Sequence, residues 1–175
     1  MRNSTEEDID HAVSAAAAAS LEWGSSAADL RAAALRGLAA ALEANRDALA
    51  SLADQETGLG LARLCGELAR TTFQLRGFAD LVSSGTPYAV LDDPERAGAP
   101  PLGHPHLTRV RVPLGPVAMF SASNFPFAFS VLGGDTASAL AAGCPVIVKA
   151  HPGHPELSRR VYDLAIGVLE RLDIT

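Results

Sequence analysis

The stretch from Pro113 to His154 constrains the chain most. It reads as a strand, a helix and a second strand in close succession. Val117, Ala118, Met119 and Phe120 form a short apolar run behind a Pro-Leu-Gly-Pro turn. The run stops at a small polar patch, Ser121-Ala122-Ser123-Asn124, and Pro126 stands where a helix could begin. A second apolar run, Pro145 to Val148, follows and ends on Lys149. This order makes a right-handed βαβ crossover the default. Ligands of open α/β sheets bind beyond the carboxyl ends of the strands. A site here should therefore involve Asn124 and Lys149.

The rest of the chain supplies helices to cover such a unit. Thr5-x-x-Asp8 and Ser26-x-x-Asp29 each read as a capping box or a near relative, opening a helix. In the second helix Leu35, Leu38, Leu42, Leu49 and Leu52 make one stripe, with Arg36, Glu43, Arg46 and Asp47 off it. That helix should run on to Gly58, a natural left-handed cap. A third carries Leu61, Leu64, Leu68, Leu75, Phe78 and Val82. Joined by Thr57–Gly60, the two should form an antiparallel hairpin whose apolar stripes the βαβ unit covers. Between residues 94 and 105 proline and glycine are dense. Short extended pieces flank them at 88–91 and 107–112, the second alternating like a half-buried strand. A last helix, Pro155 to Leu172, should close one face of the sheet.

Composition narrows the function classes. At 175 residues and 48% hydrophobic, the chain is long enough for one real core. Net charge is −6 with no basic cluster, which argues against nucleic acid or an anionic membrane surface as partner. Two distant cysteines give no disulfide framework and fit a reducing cytoplasm. The alanine run 15–19 follows Glu6, Glu7, Asp8 and Asp10, not the basic start of a secretory signal. A cytoplasmic location is expected. His151 and His154 are kept off a helix face by Pro152, Gly153 and Pro155, and no carboxylate cluster accompanies them, so no metal is assigned.

The block GPVAMFSASNFPFAFSVLGGDTASALAAGCPVIVKAHPGHP, with Gln55-Glu56-Thr57-Gly58 and Ala62–Glu67 upstream, resembles the aldehyde dehydrogenases. It is most similar to the NADP-using 2,5-dioxovalerate (α-ketoglutaric semialdehyde) branch. The resemblance implies an α/β fold: the N-terminal part of the aldehyde dehydrogenase fold, a helical hairpin plus an incomplete Rossmann-like parallel sheet. It divides the chain into a helical segment at 1–85, an oligomerisation-type hairpin at 86–112, and the first βαβα part of the NAD(P)-binding domain at 113–175. It also implies a homo-oligomer at full length and a small aldehyde substrate.

The family's cysteine nucleophile and glutamate base have no matching context here, since Cys65 and Cys144 read as small core residues. No G-x-G-x-x-G is present. The expectation is an N-terminal portion of a longer enzyme, inactive alone. The alternative is a non-catalytic nucleotide-binding or oligomerisation module. Acyl-CoA and γ-glutamyl phosphate reductases are related, but the Asn-Phe-Pro and Lys-Ala-His-Pro contexts fit them less well.

Each site residue has two readings. Asn124 is a helix N-cap by local sequence. By resemblance its amide stabilises the oxyanion formed when cysteine attacks the aldehyde, a type of donor worth about 2.7–4 kcal/mol of barrier. Lys149 is by local sequence a strand-end lysine reaching solvent, and by resemblance the residue that bonds the cofactor's adenosine ribose. Where NAD-preferring members carry a glutamate three residues later, this chain has Pro152. Lys149, helped by His151, is then free to pair with a 2′-phosphate, so NADP or dual use is expected over strict NAD. Ser121, Ala122 and Ser123 are a loop of small residues, or backbone lining the nicotinamide ribose channel. Gly133 and Gly134 interrupt a helix at about 1 kcal/mol each and suggest close backbone packing. Arg63 and Glu67, four apart, read as a surface ion pair. The branch's carboxylated substrate makes Arg63 a candidate clamp.

Overall fold

The computed structural model describes residues 3–174 and contains six α-helices and four short strands among them. Helix α1, Glu6–Ser25, opens on a complete capping box: Thr5 accepts from the Asp8 N–H, and the Asp8 side chain accepts from the Thr5 N–H. Helix α2, Ala28–Ala44, starts without a side-chain cap; Ser26, expected to cap it, instead donates its hydroxyl to the Trp23 carbonyl at 2.7 Å.

The single long second helix expected from the leucine stripe is two helices. Asn45 breaks it, at φ −110° and ψ 13°, and its side-chain amide donates to the Ala41 carbonyl at 2.9 Å. Such back-bonding competes with the helix ladder and bends the chain. Helix α3, Arg46–Thr57, resumes at once and ends on Gly58 at φ 64°, the left-handed cap the sequence calls for. Helix α4, Leu61–Ser83, returns antiparallel to α2. Arg36 pairs with Asp80 at 2.8 Å near one end of that contact. Near the other, Arg76 holds Glu43 through both guanidinium nitrogens, the Nη2–Oε2 distance being 2.6 Å. This hydrogen bonding holds the Glu43 carboxyl below the usual glutamate range, against a smaller opposing push from burial.

Leu35, Leu38 and Leu42 of α2, Leu49 of α3 and Leu64, Leu68 and Leu75 of α4 make the centre of the core. Their stripes meet because leucines three, four or seven apart share a helix face. The connection after α4 forms a small antiparallel hairpin, β1 (Leu91–Asp93) with β2 (Leu107–Arg109). Of the alternating stretch 107–112 only Leu107–Arg109 is a strand, and no apolar side chain of the stretch is buried: Leu107, Val110 and Val112 are all exposed. A two-stranded ribbon has nothing to pack its apolar face against.

The βαβ unit follows. Strand β3, Val117–Phe120, pairs parallel with β4, Val146–Lys149, in the register Val117 with Val146 through Phe120 with Lys149. Helix α5, Gly134–Ala141, crosses between them and packs on α4 and α2. It begins eight residues later than Pro126 suggests. Gly133 and Gly134 therefore open this helix rather than interrupt one. Helix α6, Pro155–Glu170, packs against α2 and α3, and its Tyr162, Ala165 and Ile166 face Val146 and Val148 of β4 across a shared cavity. No helix among the described residues is long and apolar enough to cross a membrane.

Candidate active site

Parallel pairing puts the carboxyl ends of β3 and β4 side by side, so the segments leaving them must meet. Ser121 extends the ladder by one rung, its N–H donating to the Lys149 carbonyl at 3.1 Å. The chain then folds back on itself, with the Ala122 N–H donating to the Phe129 carbonyl at 2.8 Å. Ser121 is buried and receives the Ser130 hydroxyl at 3.3 Å, while Ser123 and Asn124 are exposed.

The β4 side contributes a latch. His154 has no exposed surface, and its Nε2 lies 2.9 Å from the Ala122 carbonyl. A carbonyl only accepts, so Nε2 carries the proton. Its Nδ1 faces the Ser158 hydroxyl at 3.1 Å, and the ring stacks on His151 with centres 5.6 Å apart. His151 in turn accepts the Gly153 N–H on Nδ1, and its Nε2 has no hydrogen-bond partner among the described residues. The two histidines are thus a loop lock. Among the described residues no group of three or more His, Cys, Asp or Glu side chains is placed to hold a metal.

The third element is α4, sixty residues upstream. The Arg63–Glu67 ion pair expected from spacing does not form. Arg63 donates from Nη2 to the Asn124 carbonyl at 2.5 Å and lies 5.2 Å over the Phe125 ring. Glu67, only 6% exposed, accepts the N–H groups of Phe127 and Ala128 on Oε1 at 2.7 and 2.9 Å. Two buried backbone donors outbid one exposed guanidinium, because an unmet N–H in the interior costs more than a lost surface pair gives. The segment makes one turn there, the Phe129 N–H donating to the Phe125 carbonyl at 3.2 Å, and no helix follows until α5.

Asn124 consequently does not cap a helix. Its backbone carbonyl is held by Arg63, yet its side-chain amide is exposed and takes no hydrogen-bond partner among the described residues. Lys149 is likewise exposed, with no ion pair or hydrogen bond to its ammonium among them. Pro152 is exposed beside it, and residues 149–155 contain no carboxylate. The free amide and the free ammonium share one edge of the βαβ unit.

Glu56 is a further residue the sequence patterns leave unassigned. Its two carboxylate oxygens accept the Glu156 and Leu157 N–H groups, each at 2.9 Å, capping α6 from a hundred residues away. The N-terminus of α6 is therefore already satisfied and is not a vacant phosphate cradle. Cys144 is buried at the amino end of β4, opposite Lys149, and Cys65 is half-buried on α4. An apolar cavity of about 230 Å³ between α1, α5, β4 and α6, walled in part by Trp23, Val148 and Ala165, touches neither Asn124 nor Lys149.

The family model described as the aldehyde dehydrogenase family matches residues 1–166. The chain belongs to the aldehyde dehydrogenase family. It is 56% identical over 124 residues to alpha-ketoglutaric semialdehyde dehydrogenase 2 of Azospirillum brasilense, covering 71% of this chain and 24% of that protein. It is 45% identical over 150 residues to alpha-ketoglutaric semialdehyde dehydrogenase of Acinetobacter baylyi, covering 86% and 28%. Among solved structures, an aldehyde dehydrogenase from Brucella melitensis biovar abortus 2308 matches with a TM-score of 0.81 at 30% identity, over 94% of this chain and 32% of that one. An NADP dependent enzyme of E. coli matches with a TM-score of 0.80 at 27% identity, over 93% and 32%. The fold is the N-terminal part of the aldehyde dehydrogenase fold. The chain spans about a quarter to a third of the length of these relatives.

Proposed function

We propose that this aldehyde dehydrogenase chain provides the adenosine-side cofactor contact and the oxyanion donor of an enzyme that oxidises a short, carboxylated semialdehyde with NADP. The carrying observation is the pair of unpartnered polar groups, the Asn124 amide and the Lys149 ammonium, on adjoining segments at the carboxyl ends of β3 and β4. A neutral amide suits a developing oxyanion because it donates without surrendering a proton. Lys149 suits a 2′-phosphate, with the His151 imidazole two residues on and Pro152 standing where a carboxylate would repel it. The cofactor, when bound, supplies the hydride acceptor. Ser121, Ala122 and Ser123 would line its path toward Asn124 with small side chains.

The names of the two semialdehyde dehydrogenases support the substrate class. Arg63 spends one N–H on the Asn124 carbonyl and keeps others at an exposed position, so it remains the proposed clamp for the substrate carboxylate. Cys144 is buried and Cys65 half-buried, as small core residues are, so these 175 residues are not expected to turn over aldehyde by themselves. A cytoplasmic homo-oligomer is proposed. The exposed Val110, Val112 and Leu114 after the hairpin give it an apolar surface to bury.

The test is a titration of the ¹⁵N-labelled chain with NADP. Shifts should concentrate at the amides of residues 149–151 and 121–124. Shifts confined to other parts of the chain, or none at millimolar nucleotide, would remove the proposal.

A further inference from the structure

Arg63, Glu67 and Arg70 follow one another on α4 at spacings of four and three, which places all three on one face. That face meets the 124–129 segment along its whole length. Arg63 bonds the Asn124 carbonyl and covers Phe125. Glu67 takes the next two available amides, Phe127 and Ala128. Arg70 lies 5.5 Å from the centre of the Phe129 ring, which meets Phe125 edge to face at 5.3 Å. On the other side, His154 fixes Ala122. The backbone is therefore held just before, at and just after Asn124, while the Asn124 amide is left without a partner. A scaffold bond would have used that amide. A donor for a developing charge must instead be rigid and unspent.

The geometry points to Arg63 and Glu67 as positioning residues for the Asn124 amide. Arg63 anchors the Asn124 peptide itself and Glu67 fixes the turn that follows, so α4 sets the point and direction from which the Asn124 side chain leaves the backbone. This rests on the reading of Asn124 as the oxyanion donor. It adds that the donor's direction is set by a helix which supplies no reacting group of its own.

The experiment follows the Asn124 backbone ¹⁵N by relaxation in the 175-residue chain, labelled selectively at asparagine. Asparagine occurs only at 3, 45 and 124, so Asn124→Ala assigns the signal and the other two serve as references. Asn45, between α2 and α3, marks an ordered amide, and Asn3, at the exposed N-terminal end, a free one. The wild-type Asn124 order parameter should be near 0.8, and Arg63→Met and Glu67→Ala should each bring it below about 0.6. Asn45 should not change. Glu67→Gln keeps an acceptor for both amides and should restore most of the order. Arg63 is exposed, so Arg63→Met carries the test where loss of the buried Glu67 unfolds the chain. A wild-type Asn124 as mobile as Asn3 would overturn the inference. So would an Asn124 left unmoved by Arg63→Met. Failure of nucleotide binding would sink the functional reading but leave this measurement unaffected.

Discussion

Replacing Glu67 with alanine should destabilise the chain by about 3 kcal/mol, because two buried N–H groups lose their acceptor together. The Phe127 and Ala128 amides find no other acceptor easily, since both residues are buried against α4. Water could reach them only by opening the turn. Urea denaturation followed by circular dichroism measures the effect as a lowered midpoint at unchanged slope. Glu67→Gln should lose less than about 1 kcal/mol, because one side-chain oxygen already serves both donors in the native chain. If glutamine were as damaging as alanine, the role would lie in the charge rather than in the acceptor.

Gly133→Ala should be comparably damaging for a different reason. Gly133 has ordinary extended dihedrals, φ −69° and ψ −176°, so backbone strain is not the issue. An added Cβ would lie 2.3 Å from the Ala128 carbonyl oxygen and 2.6 Å from its carbon. That carbonyl is fixed: it accepts the Gly134 N–H at 3.0 Å, and the Ala128 N–H is held by Glu67. Overpacking against immobile backbone costs about 1–3 kcal/mol and moves what it strikes. Here the struck segment carries Asn124. The same denaturation measurement should find the double variant, Gly133→Ala with Glu67→Ala, less destabilised than the sum of the singles. Freeing Ala128 lets it retreat from the new methyl group.

The coupling of these sites marks the limit of what the sequence discloses. Features set by neighbours in sequence were legible. The Thr5–Asp8 capping box, the Gly58 cap, the leucine stripes of α2 to α4 and the parallel β3–β4 pair all depend on local spacing or on crossover handedness. The close packing inferred at Gly133 was also sound, although that glycine opens a helix rather than breaks one. Features set by distant partners were not legible. The i, i+4 spacing of Arg63 and Glu67 predicts a pair, yet both side chains turn to a segment sixty residues on. Pro126 has the look of a first helical residue, yet only one turn forms there, its next two amides held by a carboxylate from α4. Asn45 leaves the leucine stripe in step, so periodicity alone runs straight through the break it makes. Glu56 and His154 show the same thing: each closes a contact across 32 to 101 residues, and neither lies in a motif that says so. The 107–112 alternation promised a buried face that a two-stranded ribbon cannot provide.

The candidate site divides along the same line. Asn124 and Lys149 stood out because both follow apolar strands, and strand ends are where open sheets bind ligands. The structure adds the reason they are available. His154, Arg63 and Glu67 absorb the hydrogen-bonding needs of the surrounding backbone, and the two side chains need take no part in the fold. Resemblance named the residues, and the packing accounts for their freedom.

The most direct test of the cofactor-site reading compares two dissociation constants on the same chain, for adenosine 2′,5′-bisphosphate and for 5′-AMP, by calorimetry. An unpaired Lys149 ammonium facing a 2′-phosphate predicts at least about tenfold tighter binding of the bisphosphate, equivalent to ~1.4 kcal/mol. Lys149→Ala should bring that ratio close to one. Equal affinities in the wild type, or a preference that survives Lys149→Ala, would contradict the account.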